Sequence, residues 1–532
     1  MRFWLLVGLL FALLLLGGFH VAALISDGDA DGVYLHHGWL IMRGELSLYA
    51  DSQTGHRTIF PYWWIGLSQV VFGPSVLAGR AFSLLAGWAG VLILWRAARR
   101  ELGEPAGTLT LLFLASSQYL MAHFAAAAFH GLAFFWVALG ASMLLSPDGT
   151  KGRLPWVVLA AWGLFLTRPQ FGLAVPMAAI WALWKAAPGP QRHAVLLATV
   201  LPGGAVLAGY WPGVLKMAAY VPLLAPWAAS QGWVPLPFPP EPDWWTRIWR
   251  AGVLALRSYK AWIALGLLGW AIWPVGGQPL HRGARLVLWA FLGLAAGQLL
   301  VVNYSWKVAV GYFPAFAGLL AVPLAARYAQ LLQAPNSAPR AEFWRRPLAA
   351  VGLVGALLVG PVASPPPNLP LSVDVTRLAA LEAERAGREL ARLIPPGTPI
   401  FLFGPATVPH LAELRPPIQP SNNLETLVSW ESRYAPKYVG TLVRSYVGLP
   451  HVIRPLEWSG LWSTPHIDDW LNPGSPHQRP YAVVWRDGLL ARVDRYGWQA
   501  PAALMLALLD RHYEPAGTVA YHGIVLETWK RK

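Results

Sequence analysis

The chain reads as a series of apolar runs separated by short polar connections. After Met1-Arg2, an almost unbroken apolar run extends from Phe3 to Ile25. A cleaved leader would share the charged start and the small residues near Ala22-Ala23, but its apolar core is usually about 7–15 residues long. A bilayer needs about 20. The run length therefore predicts a retained first helix. Further runs lie near Val76–Trp95, Gly107–Ala122, Ala126–Leu145, Pro155–Leu166 and Phe171–Trp184. Later ones lie near Ala194–Tyr210, Ala251–Trp273, Leu286–Val302, Val308–Arg327 and Leu348–Val362. Together these predict about 11 transmembrane helices, with the fifth and sixth shorter than the rest. An odd number puts the two termini on opposite sides of the membrane.

Connections on the Met1 side are basic: Arg2, then Arg96, Arg99 and Arg100, then Lys151 and Arg153, then Lys185 and Arg192, then Arg282 and Arg285, then Arg327, Arg340, Arg345 and Arg346. The opposite short turns at 122–126 and 167–170 carry almost no such charge. The positive-inside rule puts the N-terminus in the cytoplasm and the last segment outside the inner membrane. Three segments then face outward: 26–75, 211–250 and everything after about residue 363. The expected division is a membrane domain, 1–363, and an extracytoplasmic domain, 364–532.

The last segment changes character. Pro365-Pro366-Pro367 reads as a stiff linker. Thr376–Ile394 has helical spacing with its charges on one face and stops at Pro395-Pro396-Gly397. Pro399–Phe403 and Tyr481–Trp485 read as buried strands, Ala502–Leu509 as a helix, and Gly517–Thr528 as a strand or hairpin. The fold class is an α-helical polytopic membrane protein with a C-terminal extracytoplasmic α/β domain. No internal repeat is visible.

Composition sharpens this. Only 13% of the 532 residues are charged, against roughly 25% in soluble proteins. A soluble globule of this size and a disordered chain are both excluded. The 30 Trp residues suit membrane interfaces. The net charge of +15 resides mostly in the short loops, so nucleic acid is not the implied partner; membrane lipids are. With no cysteine, there is no thiol catalysis, disulfide or zinc-thiolate site.

Chemistry concentrates just after the first helix, in Ser26-Asp27-Gly28-Asp29-Ala30-Asp31-Gly32-Val33-Tyr34. Three carboxylates within five residues repel one another, which raises their pKa values and suits general-base work or metal binding. The plainer reading is helix capping, which one Asp would satisfy. Asp27 and Asp29 form a conceivable divalent-ion pair, with His36 or His37 as further ligands, although a structural role is the simpler reading of the histidines. The cofactor is otherwise unknown. His56 and Arg57 precede an aromatic run, Phe60 to Trp64, and fit either an interfacial phosphate site or a snorkelling anchor. Arg168, between Thr167 and Pro169, marks a helix end or a charge kept near hydrocarbon for function. Lys307 stands among Tyr304, Trp306 and Tyr312 in an outward loop. His123 and His130 flank a tight outer turn.

In order along the chain, Ala30-Asp31-Gly32-Val33-Tyr34, Gly44 to Asp51, Arg57 to Trp63, and Phe72-Gly73-Pro74-Ser75-Val76-Leu77-Ala78-Gly79-Arg80-Ala81-Phe82-Ser83 form a set. Leu166-Thr167-Arg168-Pro169-Gln170-Phe171-Gly172 completes it. The set resembles the GT-C integral-membrane glycosyltransferases of the bacterial protein-mannosyltransferase and lipid A aminoarabinose-transferase type, over about residues 1–185. Arg57 stands where that family usually has Lys, Thr58-Ile59 replaces Pro-Pro, and Phe129-His130-Gly131 occupies a segment where an Asp is common.

The resemblance implies a membrane enzyme that moves a sugar from a polyprenyl-phosphate donor to a lipid, glycan or protein acceptor, with inversion. It implies Asp29 or Asp31 as the general base. His56, Arg57, Arg168 and Lys307 would bind the donor phosphate, and Tyr34, Tyr62 and His130 would contact substrate. The competing expectation is a transporter or flippase of a lipid-linked saccharide, in which the acids would bind a coupling cation. Transporters usually carry repeats and ionisable groups at the bilayer midplane. Here the acids cluster at one end of the first span, which favours the enzyme over the transporter and over a purely structural subunit.

Overall fold

A computed structural model of the chain describes residues 8, 29–45, 59–146, 152–168, 171–209, 225–230, 234–235, 279–301, 314–333, 379–404, 407–415, 452–453, 470–476, 478–490, 499–521 and 523–532. The described residues fall into two compact units. One takes in residue 8, 83–204 and 279–333, so that the helix Val76–Leu102 begins, and the helix Pro190–Gly209 ends, in the other unit. The other takes in 29–82, 205–209, 225–235 and 379–532, so the described parts of both predicted outer loops belong to the same unit as the C-terminal segment.

The first unit is helical. α3 (Val76–Leu102) is followed by α4 (Glu104–Ser116), α5 (Gln118–Ala125), α6 (His130–Leu144), α7 (Leu154–Thr167), α8 (Ala174–Lys185) and α9 (Pro190–Gly209). After these come α10 (Arg282–Val301) and α11 (Ala321–Gln333), the latter entered through Pro314–Ala317 and a 3-10 turn, Gly318–Leu320. Among the described residues, α3 and α9 are long and apolar enough to cross a bilayer. The predicted first, eighth and last spans lie outside the described residues. The short fifth and sixth runs do form helices, α7 and α8, of 14 and 12 residues. At 1.5 Å per residue they extend about 21 and 18 Å, less than the roughly 30 Å of hydrocarbon.

One predicted span is broken. The run Gly107–Ala122 divides at Ser117, whose backbone is extended and whose hydroxyl accepts from the Leu120 amide at 3.4 Å, capping α5. The α3–α4 corner is made by Gly103 at φ +91°, with Pro105 in the first turn of α4. Small residues on α3 admit aromatic rings. A Cβ at Gly87 would meet the Phe124 ring at 2.6 Å, and one at Gly90 the Phe134 ring at 2.8 Å. α7 and α9 share an apolar cluster of Leu154, Val158, Ala182, Val195 and Ala198, with α8 contributing Ala182. The Trp162 indole donates to the Thr199 carbonyl at 3.2 Å.

The second unit contains two helices that the apolar runs did not announce inside the first outer loop: α1 (Asp29–Met42) and α2 (Ile59–Phe72). They cross with their backbones touching. A Cβ on Gly38 would lie 2.7 Å from the Tyr62 carbonyl oxygen, and one on Gly66 would collide with Gly38. The motif Phe72 to Ser83 builds the next corner: Gly73 turns at φ +78°, and the Ser75 hydroxyl accepts from the Ala78 amide at 3.2 Å, opening α3. Arg80 and Ser83 are fully buried, and Trp64 donates to the Phe82 carbonyl at 2.7 Å.

The C-terminal segment contributes helices and a small mixed sheet to this unit. α12 (Ala379–Leu393) buries Ala380, Ala383, Ala386 and Leu390, the spacing of one helical face. The chain then runs through β1 (Ile400–Phe403), α13 (Thr407–Leu411), β2 (Tyr481–Val484), α14 (Gln499–His512), β3 (Tyr513–Tyr521) and β4 (Ile524–Arg531). The sheet order is β1-β2-β4-β3; β1 and β2 are parallel and the rest antiparallel. Phe401 pairs with Ala482, and Val483 with Thr528. The β3–β4 hairpin turns at Gly523, φ +74°. Its core gathers Phe401, Phe403, Trp470, Val484, Met505 and Trp529. The hydroxyl of Tyr513 donates to the Arg479 carbonyl at 2.6 Å, and burial pushes that phenol up to about 12.

Candidate functional site

α7 ends where Pro169 requires it to. A residue before proline is forced out of the helical region, and Arg168 is extended at φ −158°, ψ 118°. Its amide still donates to the Leu164 carbonyl at 2.9 Å. The side chain is turned inward and only 6% exposed, with the guanidinium 4.7 Å from the centre of the Phe129 ring. Phe129 lies against His130, ring centres 4.1 Å apart, and His130 meets His123 edge-on at 5.0 Å. His130 is the first residue of α6, at the positive dipole end of that helix. Thus two residues expected at the site from sequence, Arg168 and His130, both lie against one phenylalanine. The sequence pointed to each residue separately; their meeting through Phe129 had no signal in it.

An apolar cavity of about 250 Å³ lies in the same unit, lined by α6, α7, α8, α10 and the 3-10 turn. Its wall includes Trp136, Leu144, Leu164, Met177, Trp181 and Trp289. Leu164, which lines it, is four residues before Arg168 on the same helix end.

The other unit places Tyr34 and Tyr62 side by side, ring centres 5.2 Å apart, both buried in the packing of α1 on α2. His37 meets Tyr62 edge-on at 5.9 Å. His36 and His410 are fully buried, Nδ1 to Nδ1 at 3.4 Å, and His410 Nε2 lies 3.1 Å from Gln69 Oε1. Burial, and secondarily the Arg415 charge, push the His36 imidazole down to about 3. His410 is pushed well below its ordinary value by burial and by His36. Both rings are therefore neutral near pH 7. Sequence alone offers His36 as a conceivable metal ligand and gives no sign of its contact with His410, since 374 residues separate them.

The remaining expected residues divide simply. Asp29 and Asp31 lie on the backbone of α1, while Asp27, His56, Arg57 and Lys307 fall outside the described residues. The carboxylate pair suggested for a divalent ion is therefore not described as a site. Among the described residues, no group of three or more His, Asp or Glu is placed to hold a metal ion.

Residues 56–211 match the family model "Dolichyl-phosphate-mannose-protein mannosyltransferase". No curated protein matches the sequence. Among solved structures, ArnT from Cupriavidus metallidurans bound to undecaprenyl phosphate is similar at 14% identity and a TM-score of 0.44, with 98% of this chain and 97% of that one covered. The apo state of the same protein gives 15% and 0.45 over the same shares. The Archaeoglobus fulgidus oligosaccharyltransferase, in complex with Zn and sulfate, gives 11% and 0.43, covering 96% of this chain and 72% of that one. The family match includes Arg168, Phe129, His130 and the Phe72–Ser83 corner. It agrees with the motif reading: residues 56–211 are similar to the mannosyltransferase family that the motifs resemble.

Proposed function

We propose that the protein transfers a sugar from a polyprenyl-phosphate donor to an acceptor hydroxyl at the outer face of the inner membrane, with inversion at the anomeric carbon. The observation that carries this reading is the family match over residues 56–211, which contains the buried Arg168 beside Phe129 and His130. A guanidinium held against a ring, near a helix N-terminus, suits a phosphate. The apolar cavity nearby suits part of a lipid tail.

In this reaction the acceptor oxygen attacks the anomeric carbon and the carbon–oxygen bond to phosphate breaks. Asp29 or Asp31 takes the hydroxyl proton, a general-base contribution of about 10²–10⁴-fold. The lipid phosphate leaves with the bonding electrons. It is already ionised, so it needs fixed positive charge rather than a proton. Arg168 supplies that charge, with His56, Arg57 and Lys307 as further contributors. His130, beside Arg168, is the proposed substrate contact, and the acceptor is a lipid, a glycan or a protein.

The test uses the purified chain in lipid nanodiscs with a panel of radiolabelled polyprenyl-phosphate sugars and candidate acceptors. Wild type should transfer label, and Asp29→Asn or Asp31→Asn should lose at least about 10²-fold in kcat while the fold is kept. Arg168→Gln should cost about 10²-fold, and Arg168→Lys less, because charge survives without the planar fork. Full activity in both Asp variants would remove the proposed base.

A further inference from the structure

The buried histidine pair belongs to a longer polar chain whose hydrogen positions can be worked out. Gln69 grips the backbone of Ser75 at both ends: its Oε1 accepts from the Ser75 amide at 2.9 Å, and its Nε2 donates to the Ser75 carbonyl at 3.1 Å. Nε2 also donates to the Ser68 hydroxyl at 2.7 Å. This fixes which end of the amide is oxygen. The group facing His410 Nε2 is therefore an acceptor, so Nε2 carries the proton. In a neutral ring, Nδ1 of His410 is then bare and accepts from Nδ1–H of His36. One backbone clamp sets both tautomers.

The chain of bonds joins four elements. His36 lies on α1, Gln69 on α2, Ser75 in the corner before α3, and His410 on α13. The same corner is tied to α12, because the Ser75 hydroxyl donates to Glu384 Oε1 at 2.7 Å. Trp39, one turn after His36, meets His410 edge-on at 5.6 Å. An apolar filling would hold these surfaces together equally well, since buried polar groups add little net stability. The directional bonds from Ser75 through Gln69 and His410 to His36 instead favour one relative placement of these members.

We propose that His410 and His36 are positioning residues for the transfer: a side chain of the C-terminal domain sets the height and roll of the helix that carries Asp29 and Asp31. The inference rests on the reading of those acids as the base. They lie seven and five residues before His36, about 10 and 7.5 Å along the helix axis. A displacement of about 1 Å at reacting groups can cost roughly 10²-fold in rate. The C-terminal domain thus acts as part of the catalytic apparatus and not as a detachable module.

The test compares His410→Leu, His410→Gln and His410→Asn in the full chain in nanodiscs. A glutamine amide reaches about where Nε2 was and keeps the bond to Gln69; an asparagine amide reaches about where Nδ1 was and can accept from His36. Two quantities are measured: amide hydrogen exchange of residues 29–42, with residues 513–531 as the folding control, and transfer kinetics. His410→Leu and His410→Gln should speed exchange in 29–42 and lower kcat about tenfold or more, with KM for the donor unchanged. His410→Asn should restore both.

Unchanged exchange in 29–42 for His410→Leu would overturn the inference. So would wild-type kcat in that variant, or equal losses in KM and kcat with no rescue by asparagine. If wild type itself transfers no sugar, the functional reading fails, while the exchange result still decides the positioning.

Discussion

A histidine shut away from water and from carboxylates holds no proton at neutral pH, and His36 and His410 are two such residues in contact. With the folded value of His36 near 3 and the unfolded value near 6.5, the unfolded chain takes up more protons between those limits. Stability contributed by the neutral ring is therefore complete above about pH 6.5 and is lost as pH falls toward 3. The slope is about 1.4 kcal/mol per pH unit for one such group. His410 acts in the same direction. Melting curves from pH 8 to pH 4 should show this decline, and His36→Asn, which cannot protonate in that range, should flatten it. An unchanged slope in the variant would remove His36 as the cause. At the same scale, the sequence made Arg168 and His130 visible by their positions at a helix end and an outer turn. It could not show that Phe129 joins them, because that contact depends on how α7 meets the turn before α6.

The crossing of α1 and α2 illustrates why elements can hide in a loop. Ile59–Phe72 is apolar, but it follows a polar stretch and is shorter than a span, so run length alone passes over it. Its helical identity shows in the packing: Gly38 and Gly66 bring two backbones into contact, with Tyr62, Ile65 and Gln69 buried. Gly66→Ala should force the helices apart and cost about 1–3 kcal/mol or more, with sugar transfer falling alongside. Gly204→Ala on α9, where an added Cβ meets nothing within 4 Å, should be neutral or slightly stabilising. Equal melting temperatures for the two would contradict the crossing. In the C-terminal segment the pattern was far more legible. The helix ending at Pro395-Pro396-Gly397, the strand at 400–403 and the hairpin at 513–531 each carry their own local stop or turn signal. α13 carries none, being five residues whose helix is made by tertiary contacts.

For the whole molecule, low charge and long apolar runs point to a membrane class, and an ordered set of short motifs points to the mannosyltransferase family that residues 56–211 match. What they could not give is the grouping of parts. The described parts of the outer loops fall in one unit with the C-terminal domain, although more than 300 residues separate α1 from α12. Such long-range assembly leaves no local periodicity. The central claim is bond cleavage at a lipid-linked sugar. It is tested most directly with a sugar-labelled polyprenyl-phosphate donor and an acceptor in sealed vesicles containing the purified protein. The account predicts free polyprenyl phosphate in amounts equal to labelled, configuration-inverted product. Intact donor arriving in the opposite leaflet, with no lipid phosphate released, would contradict it.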